Sequence, residues 1–363
     1  MLFLKGYKRP RVRSRFKRSA TSIMLFVVCL SGISQNKDTM YLDEVSIKTT
    51  RLKASATGKK LQKIDSLEQE LFRNQTLDVL LSNNTPIFVK NYGPGASQTT
   101  TFRGGNASQT AILWNGLNIQ NSMLGQTDLS NISGSLFNSV DIEYGGSSAL
   151  WGSGAMGGAV HLNNNQPYNK GILAKVNTLH SNIGLRSFGA NVNYSNERFA
   201  ASTKESLIDH TNEYTYKNDS NDIVKRKNAS YFQLSVLPEL KININRNNSF
   251  IAGAWITKGN RDLPSLNNTA FNNVFQEDES KRWNLNWTYN SNQITNHVKA
   301  ALFTEDLNYF DSLAKIDSKS KMQTRIVEND LYYKWKDGHT LNLGCNYTYN
   351  QANTTEYLSL IHI

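Results

Sequence analysis

The chain has 363 residues, enough for one large domain or two smaller ones, but only 39% of them are hydrophobic and the mean hydropathy is −0.50. This composition disfavours a soluble enzyme with a conventional core, and it suits a large closed β-barrel, in which alternate residues face a polar interior. The formal net charge is +11, but eight of the 40 basic residues precede residue 35, and the remaining 32 against 29 acidic residues leave +3. The mature chain therefore gives no reason to expect a nucleic-acid partner.

The N-terminus predicts export from the cytoplasm. Eight basic residues lead to an apolar run at residues 23–30, which the small residues 31–34 follow. This layout is typical of a secretory signal peptide, and the run is too short to span a membrane. We therefore predict that residues 1–34 are a signal peptide. The alternative, a basic disordered tail on a cytoplasmic protein, has no need of an apolar run.

Cysteine and histidine patterns predict neither a disulfide scaffold nor an active site. Cys29 lies in the signal peptide, so the mature chain keeps only Cys345 and cannot form an intrachain disulfide. The six histidines are scattered without H-E-x-x-H, and no Cys/His spacing resembles a zinc site. No nucleophile, base and orienting group occur together in one recognisable motif, so the chain is not expected to be an enzyme.

Residues 35–60 are too few for a separate domain. They contain MYLDEVSIKTTR, a short β-prone stretch that the basic segment RLKASATGKK follows. Such a stretch can add as a strand to the exposed sheet edge of a partner, with backbone hydrogen bonds supplying affinity. The alternative is a disordered leader that only links the signal peptide to the next domain.

A glycine motif in SSALWGSGAMGGAV, residues 147–160, has the spacing of a nucleotide-binding site. Gly152, Gly154 and Gly157 spell G-x-G-x-x-G, which in a Rossmann domain opens a helix and is followed about 20 residues later by a carboxylate. Here a short β-type run, an asparagine cluster and Pro167 follow, and residues 144–196 contain no Asp or Glu. Dinucleotide binding is therefore excluded.

After Pro167 a long series of strand-like segments begins. Period-two alternation is clearest in RWNLNWTYN, where Trp283, Leu285 and Trp287 share one face. Tight polar turns alternate with long polar loops, expected at residues 209–227, 259–280 and 306–321, and this sorting is typical of an outer-membrane barrel rather than a soluble sandwich. The strands are predicted near residues 172–180, 185–195, 198–208, 228–245, 249–258, 281–290, 293–305, 322–336 and 339–350.

Nine strands do not close such a barrel, because bacterial single-chain barrels have an even strand number and an open edge facing lipid leaves backbone groups unsatisfied. We therefore expect C-terminal strands to be missing. The last six residues, LSLIHI, match the translation of CTGTCTCTTATACACATC, the end sequence of a transposon widely used to prepare sequencing libraries. Our hypothesis is that residues 358–363 are adapter sequence and that the barrel segment is 167–357. A true terminus at Ile363 would instead imply a non-functional or multi-chain barrel.

Two segments before Pro167 carry a family resemblance. Residues 76–121 resemble the plug domain of TonB-dependent outer-membrane receptors, in which a short helix and a strand lead to F-x-R-G and then to a strand ending in D-G. Residues 139–162 resemble its closing signature, I-E-V-x-x-G-P-x-S-x-x-Y-G-x-x-A-x-G-G-x-I. Trp151 stands where tyrosine is usual, and Asn115 replaces the common aspartate. The positions that match the closing signature are Ile142, Glu143, Gly146, Ser148, Gly152, Ala155, Gly157 and Gly158.

The resemblance implies an α+β plug domain at residues 61–166 inside an all-β transmembrane antiparallel barrel, with about 22 strands in the whole receptor and about nine here. Residues 35–60 then hold the TonB box and a linker, too short for the signalling domains of some relatives. The receptor would be a monomer in outer-membrane lipid of a Gram-negative bacterium, without a cofactor. The residues implied to bind the periplasmic protein TonB are Tyr41, Leu42, Asp43, Glu44, Val45, Ser46 and Ile47.

The function implied is energy-coupled uptake of a scarce large nutrient, such as cobalamin or a ferric siderophore. A surface binding protein or adhesin on a barrel that does not transport is the alternative. The resemblance places the plug apices at residues 91–97 and 119–127, with solvated loops as the alternative to a ligand role. The substrate-binding candidates there are Tyr92, Gln120, Asn121 and Met123.

Several plug residues are expected to have structural roles. Arg103 and Glu143 are charges inside the barrel and are expected to pair with each other or with the barrel wall. Gly152, Gly157 and Gly158 are expected to allow tight turns and close backbone packing of the last plug strand.

One outer loop, DHTNEYTYKNDSNDI, is rich in hard oxygen ligands of the kind that calcium binds. Vitamin B12 receptors of the same family use aspartates in the equivalent loop for calcium, so the resemblance implies a structural calcium site. A solvated charged loop is the alternative, because the spacing matches no EF-hand. The candidate ligands are Asp209, Glu213, Asp219 and Asp222.

Overall fold

The computed structural model describes residues 60–164, 167–218, 220–264, 274–336 and 339–355. The predicted signal peptide, the TonB-box residues 41–47 and residues 358–363 lie outside these ranges. Within the described ranges, no helix is both long enough and apolar enough to cross a membrane.

The plug domain, residues 60–164, is built on a five-stranded sheet. Its elements are β1 (Lys60–Lys63), α1 (Ser66–Leu71), α2 (Leu77–Asn84), β2 (Phe88–Asn91), β3 (Gln98–Thr101), β4 (Thr110–Trp114), β5 (Leu117–Asn118), β6 (Ser139–Tyr144), α3 (Ser148–Trp151) and β7 (Gly158–Asn163). The sheet order is β1-β6-β7-β4-β5, with β4 and β7 parallel, and β2 pairs with β3 separately. All five residues of β4, TAILW, are buried, as expected for a strand covered on both faces.

The β4–β5 hairpin turns at Asn115 and Gly116, whose φ angles are 50° and 83°. Two successive residues with positive φ fit a type I′ turn, and Asn-Gly is the favoured sequence for that turn. The sequence therefore accounts for the hairpin, which carries the Asn115 side chain to the edge of the plug.

Gly152 and Gly157 of the nucleotide-like motif, together with the adjacent Gly158, serve packing and turns. Gly152 ends α3 with φ 87°. A Cβ atom at Gly158 would lie 2.7 Å from the carbonyl oxygen of Glu143, and one at Gly157 would lie 3.2 Å from Cβ of Phe102. Side chains at the last two positions would therefore push β7 away from its neighbours.

The remaining described strands form one antiparallel nine-stranded sheet. Its members are β8 (Gly171–His180), β9 (Leu185–Ser195), β10 (Phe199–His210), β13 (Tyr231–Asn243), β14 (Asn248–Asp262), β15 (Val274–Asn290), β16 (Ile294–Asp311), β17 (Ile316–Lys336) and β18 (His339–Thr354). These strands pair in chain order. Between β10 and β13, the short strands β11 (Thr215–Lys217) and β12 (Ile223–Lys225) form a hairpin of their own.

Two of the predicted long loops are wrong, because strand structure extends into them. β14 continues to Asp262 and β15 begins at Val274, while β16 and β17 leave only residues 312–315 between them. Charged side chains in and beside these segments form ion pairs on one face of the sheet. Lys258 of β14 pairs with Glu279 of β15 at 3.3 Å, and Glu279 pairs with Lys281 of the same strand at 2.7 Å. A charged strand end was therefore mistaken for a loop.

The nine-stranded sheet has one apolar exposed face, and the plug covers the central part of its other face. Trp283 and Leu285 are 50% and 48% exposed, whereas the intervening Asn284 is 5% exposed. The covered face contributes four large apolar side chains, Leu237, Trp255, Phe303 and Ile326, to the same buried cluster as the plug core. The plug and the sheet therefore share one hydrophobic core.

Candidate functional site

A cavity of about 140 Å³ lies between the plug and the sheet. Plug residues between Ile119 and Ile132 form one side, and side chains from β14, β15, β16 and β17 form the other. On the strands, the cavity lies toward the ends where the longer connections occur. The arrangement is a partly open space between a plug loop and the barrel wall, lined by both polar and apolar side chains.

Arg261 of β14 joins the barrel wall to the plug beside this cavity. Its guanidinium contacts Asp128 of the plug at 2.8 Å and Asp278 of β15 at 3.4 Å, and it also donates to the Ser130 hydroxyl at 3.0 Å. Arg261 is 7% exposed, and the two carboxylates compensate the loss of water around its buried charge. The position of the plug loop against the wall therefore depends on the charges of Arg261, Asp128 and Asp278.

A second polar contact is formed by Arg282, Glu305 and Asn121. Arg282 pairs with Glu305 across β15 and β16, and its guanidinium lies over the Trp255 ring at 4.7 Å from the centroid. Asn121 of the plug donates from Nδ2 to Glu305 Oε2 at 2.8 Å. Both guanidiniums that line the cavity are therefore already engaged with carboxylates.

The structure brings together two of the four substrate-binding candidates. Asn121 and Met123 both line the cavity. The Gln120 side chain donates to the carbonyl oxygens of Ser108 and Gly125, so it braces the plug loop. Tyr92 is 47% exposed with Lys90 over its ring, and it lies outside the cavity lining.

Asp78, at the start of α2, is a buried carboxyl group of the plug. It is 1% exposed, and this burial raises its pKa to about 6. Hydrogen bonds from Thr76 and from backbone amides lower the pKa in part, while the nearby Asp128 carboxylate adds to the rise. The plug therefore contains one carboxyl group that titrates close to neutral pH.

Glu143 and Arg103 do not form the ion pair expected between them. Glu143 is 1% exposed and accepts hydrogen bonds from Ser147, from Trp151 Nε1 at 2.9 Å and from His161 Nε2 at 3.1 Å. Arg103 is exposed, has φ 49°, and forms no hydrogen bond or ion pair within the described ranges. The reason is local: β6 directs Glu143 beneath α3, whereas Arg103 lies on a turn that faces away.

The described carboxylates of the predicted calcium loop do not converge. Glu213 pairs with Lys225 at 2.7 Å, and the backbone N–H of Asp222 donates to Asn218. Asp209 lies at the end of β10 opposite Arg186, and Asp219 is outside the described residues. Among the residues that the structure covers, no group of three or more His, Cys, Asp or Glu could hold a metal ion.

Calcium at this loop therefore stays a prediction that rests on Asp219. We expect calcium to raise substrate affinity in the parent receptor but not in Asp219→Ala, as measured by ligand titration with and without chelator. Equal affinity with and without calcium in the parent would contradict the site.

Several residues that tie the plug to the wall were missed from the sequence. Arg261, Glu305 and Lys204 are charges at alternate positions of amphipathic strands, and Trp255 is an aromatic residue on the face opposite to the exposed one. A charge on the polar face of a barrel strand was the available signal. It indicates a lumenal position, but it does not indicate whether water or a plug covers that position.

The plug domain also matches a family model. Residues 53–159 match the TonB-dependent receptor plug domain. No curated protein matches the chain.

Solved structures extend the likeness to the barrel segment. The siderophore receptor PiuA from Acinetobacter baumannii is 14% identical, with a TM-score of 0.63 over 82% of this chain and 46% of that one. The FrpB iron transporter from Neisseria meningitidis is 16% identical, with a TM-score of 0.69 over 82% and 49%. The copper transporter OprC is 14% identical, with a TM-score of 0.59 over 77% and 43%.

At these identities the solved structures establish the fold alone. The chain spans about half the length of the solved receptors that it matches. The plug match and the shared fold of plug and barrel agree with the resemblance read from the two plug motifs. Residues 53–159 are therefore a TonB-dependent receptor plug domain, and the strands that follow have the fold of the barrels in the solved receptors.

Proposed function

We propose that this receptor takes up a small-molecule chelate or cobalamin across the outer membrane, with TonB supplying the work. The observation that carries the proposal is a folded plug packed against the lumenal face of a barrel sheet. Such a plug blocks passage, so transport requires an input of work to move part of it. The outer membrane has no ATP, so the energy comes from the inner membrane through a partner that grips residues 41–47.

The cavity between plug and wall is the proposed substrate contact on this side of the barrel. Asn121 and Met123 are the plug residues that we assign to it, because both line the space and Met123 is 41% exposed. The similar structures carry the names of a siderophore receptor, an iron transporter and a copper transporter. One fold therefore serves different cargoes, and the side chains around the cavity select the substrate.

Deletion of residues 41–47 tests the proposal. In cells that produce the receptor, we expect this deletion to abolish accumulation of radiolabelled cyanocobalamin or of an iron-loaded siderophore while surface binding of the same probe survives. A matched control deletes seven residues of the following linker, 52–58, which leaves the TonB box intact. Unchanged uptake after deletion of 41–47 would contradict the proposal and favour the alternative, a surface binding protein or adhesin without transport.

A further inference from the structure

The hydrophobic core shared by the plug and the barrel is centred on three aromatic side chains. Trp255 of β14 packs edge-on against Trp114 and Phe137 of the plug, with ring centroids 5.7 Å and 5.3 Å away. Trp114 and Trp255 are both fully buried, and Phe137 is 1% exposed. Phe303 of β16 extends the contact, 6.5 Å from Trp114. This part of the boundary is as inaccessible to solvent as a protein interior, and its aromatic rings meet in edge-to-face geometry.

A buried lysine of the barrel wall forms its hydrogen bonds with the plug. Lys204 of β10 is 1% exposed, and its ammonium donates to the Leu136 carbonyl at 3.0 Å and to the amide oxygens of Asn138 and Asn164. These acceptors belong to the plug, so the buried Lys204 side chain ties β10 directly to plug residues 136, 138 and 164.

The neighbouring strand, β13, contacts the plug through the side chain of plug residue Asn115. The Asn115 amide donates to Glu239 of β13 at 3.1 Å, and its oxygen accepts from the backbone N–H of Asn164 at 3.0 Å. Its carbonyl oxygen accepts from Lys299 of β16 at 3.3 Å. An aspartate, which relatives commonly have at this position, would face the Glu239 carboxylate instead of donating to it. Asn115 is therefore matched to this particular wall.

We propose that the wall of β10, β13, β14 and β16 is a fixed anchor, to which plug residues 110–164 stay attached throughout transport. Lys204, Glu239 and Trp255 are positioning residues of this anchor. The proposal rests on the proposed function, since it concerns the part of the plug that does not move when TonB pulls on residues 41–47.

A disulfide across the anchor tests this directly. Ser133 of the plug and Ser206 of β10 are buried with their hydroxyl oxygens 2.7 Å apart, so cysteines at both positions bring two sulfur atoms into bonding range. In cells that produce Ser133→Cys/Ser206→Cys, we expect uptake of cyanocobalamin or iron-loaded siderophore to agree within about twofold between oxidised and reduced receptor. Uptake that falls by more than about tenfold on oxidation would overturn the anchor. The deletion of residues 41–47 leaves this wall intact, so it judges the proposed function separately.

Labelling supplies a readout that needs no substrate. A single Ser206→Cys is expected to stay unreactive toward a membrane-impermeant maleimide in cells with or without TonB. Labelling that requires TonB would mean that the plug leaves this wall, against the proposal.

The match between Asn115 and Glu239 has its own reciprocal test. We expect Asn115→Asp to expose the plug to trypsin in the purified receptor, and Asn115→Asp/Glu239→Gln to restore protection because the glutamine then donates to the aspartate. A double variant that is no better protected than the single one would remove Asn115 and Glu239 from the anchor.

Discussion

Trp255 is the side chain on which the packing between plug and wall converges, since it contacts Trp114, Phe137 and the Arg282 guanidinium. Replacing it with alanine leaves a cavity that the surrounding strands cannot close. We expect Trp255→Ala to lower the free energy of unfolding of the plug by about 3–5 kcal/mol. Thermal unfolding of the detergent-solubilised receptor measures this, with Trp335→Ala, at a residue that is 79% exposed, as the control. Equal losses in both variants would contradict a buried role.

Asp78 makes the stability of the plug depend on pH. Its pKa of about 6 lies above the value of about 3.9 in an unfolded chain, so the folded plug holds the proton more tightly. The resulting stabilisation is complete below about pH 4 and is lost as the pH rises through about 6. The difference of about two pKa units corresponds to at most about 3 kcal/mol.

Asp78→Asn removes this titration. We expect the variant to be more stable than the parent at about pH 7.5, by less than the full amount because hydrogen bonds to the carboxylate are lost, and to match the parent near pH 4. Asp128 and Tyr231 are the neighbouring titratable groups and are the same in both proteins. A difference that does not change between these two pH values would contradict the raised pKa.

At the scale of elements, the extended hairpin of β16 and β17 is testable by hydrogen exchange. Residues 306–311 and 316–321 pair in register, from Asp306 with Lys321 to Asp311 with Ile316. We therefore expect their amides to exchange as slowly as those of residues 295–305. Rapid exchange, comparable to that of residues 312–315, would restore the loop that the sequence predicted.

The barrel strands could be predicted because the exposed and covered faces of the sheet have opposite polarity, which alternates along each strand as in RWNLNWTYN. The ends of the same strands near the longer connections could not, because both faces are polar there and the alternation disappears. The plug motifs indicated the domain, and Asn121, which lies in an apical plug segment, stays a predicted substrate contact that the structure places at the cavity. Arg261, Lys204 and Trp255 were not found, because their partners in the plug are 40 or more residues away in the chain and meet them only in the folded protein.

On the scale of the whole molecule, the exposed apolar face fixes how the barrel sits in a bilayer. Leu285 lies between Trp283 and Trp287 on that face, whereas Glu277 lies on the same face of β15 nearer to the longer connections. If this band contacts lipid, the free-energy cost of placing a cation on this face depends on the position of the cation along the strand. A soluble sandwich would instead bury the whole face against a second sheet.

Leu285→Arg is therefore expected to lower the free energy of unfolding of the receptor in lipid vesicles by about 2–4 kcal/mol, because the guanidinium has no water or partner at that depth. Glu277→Arg is the matched control and should change it little, since position 277 is flanked by the polar residues Asn260 and Asn308. Urea titration of the receptor in vesicles measures both values. Equal effects at positions 285 and 277 would mean that the apolar band does not coincide with the membrane, and the assignment of this face to lipid would fail.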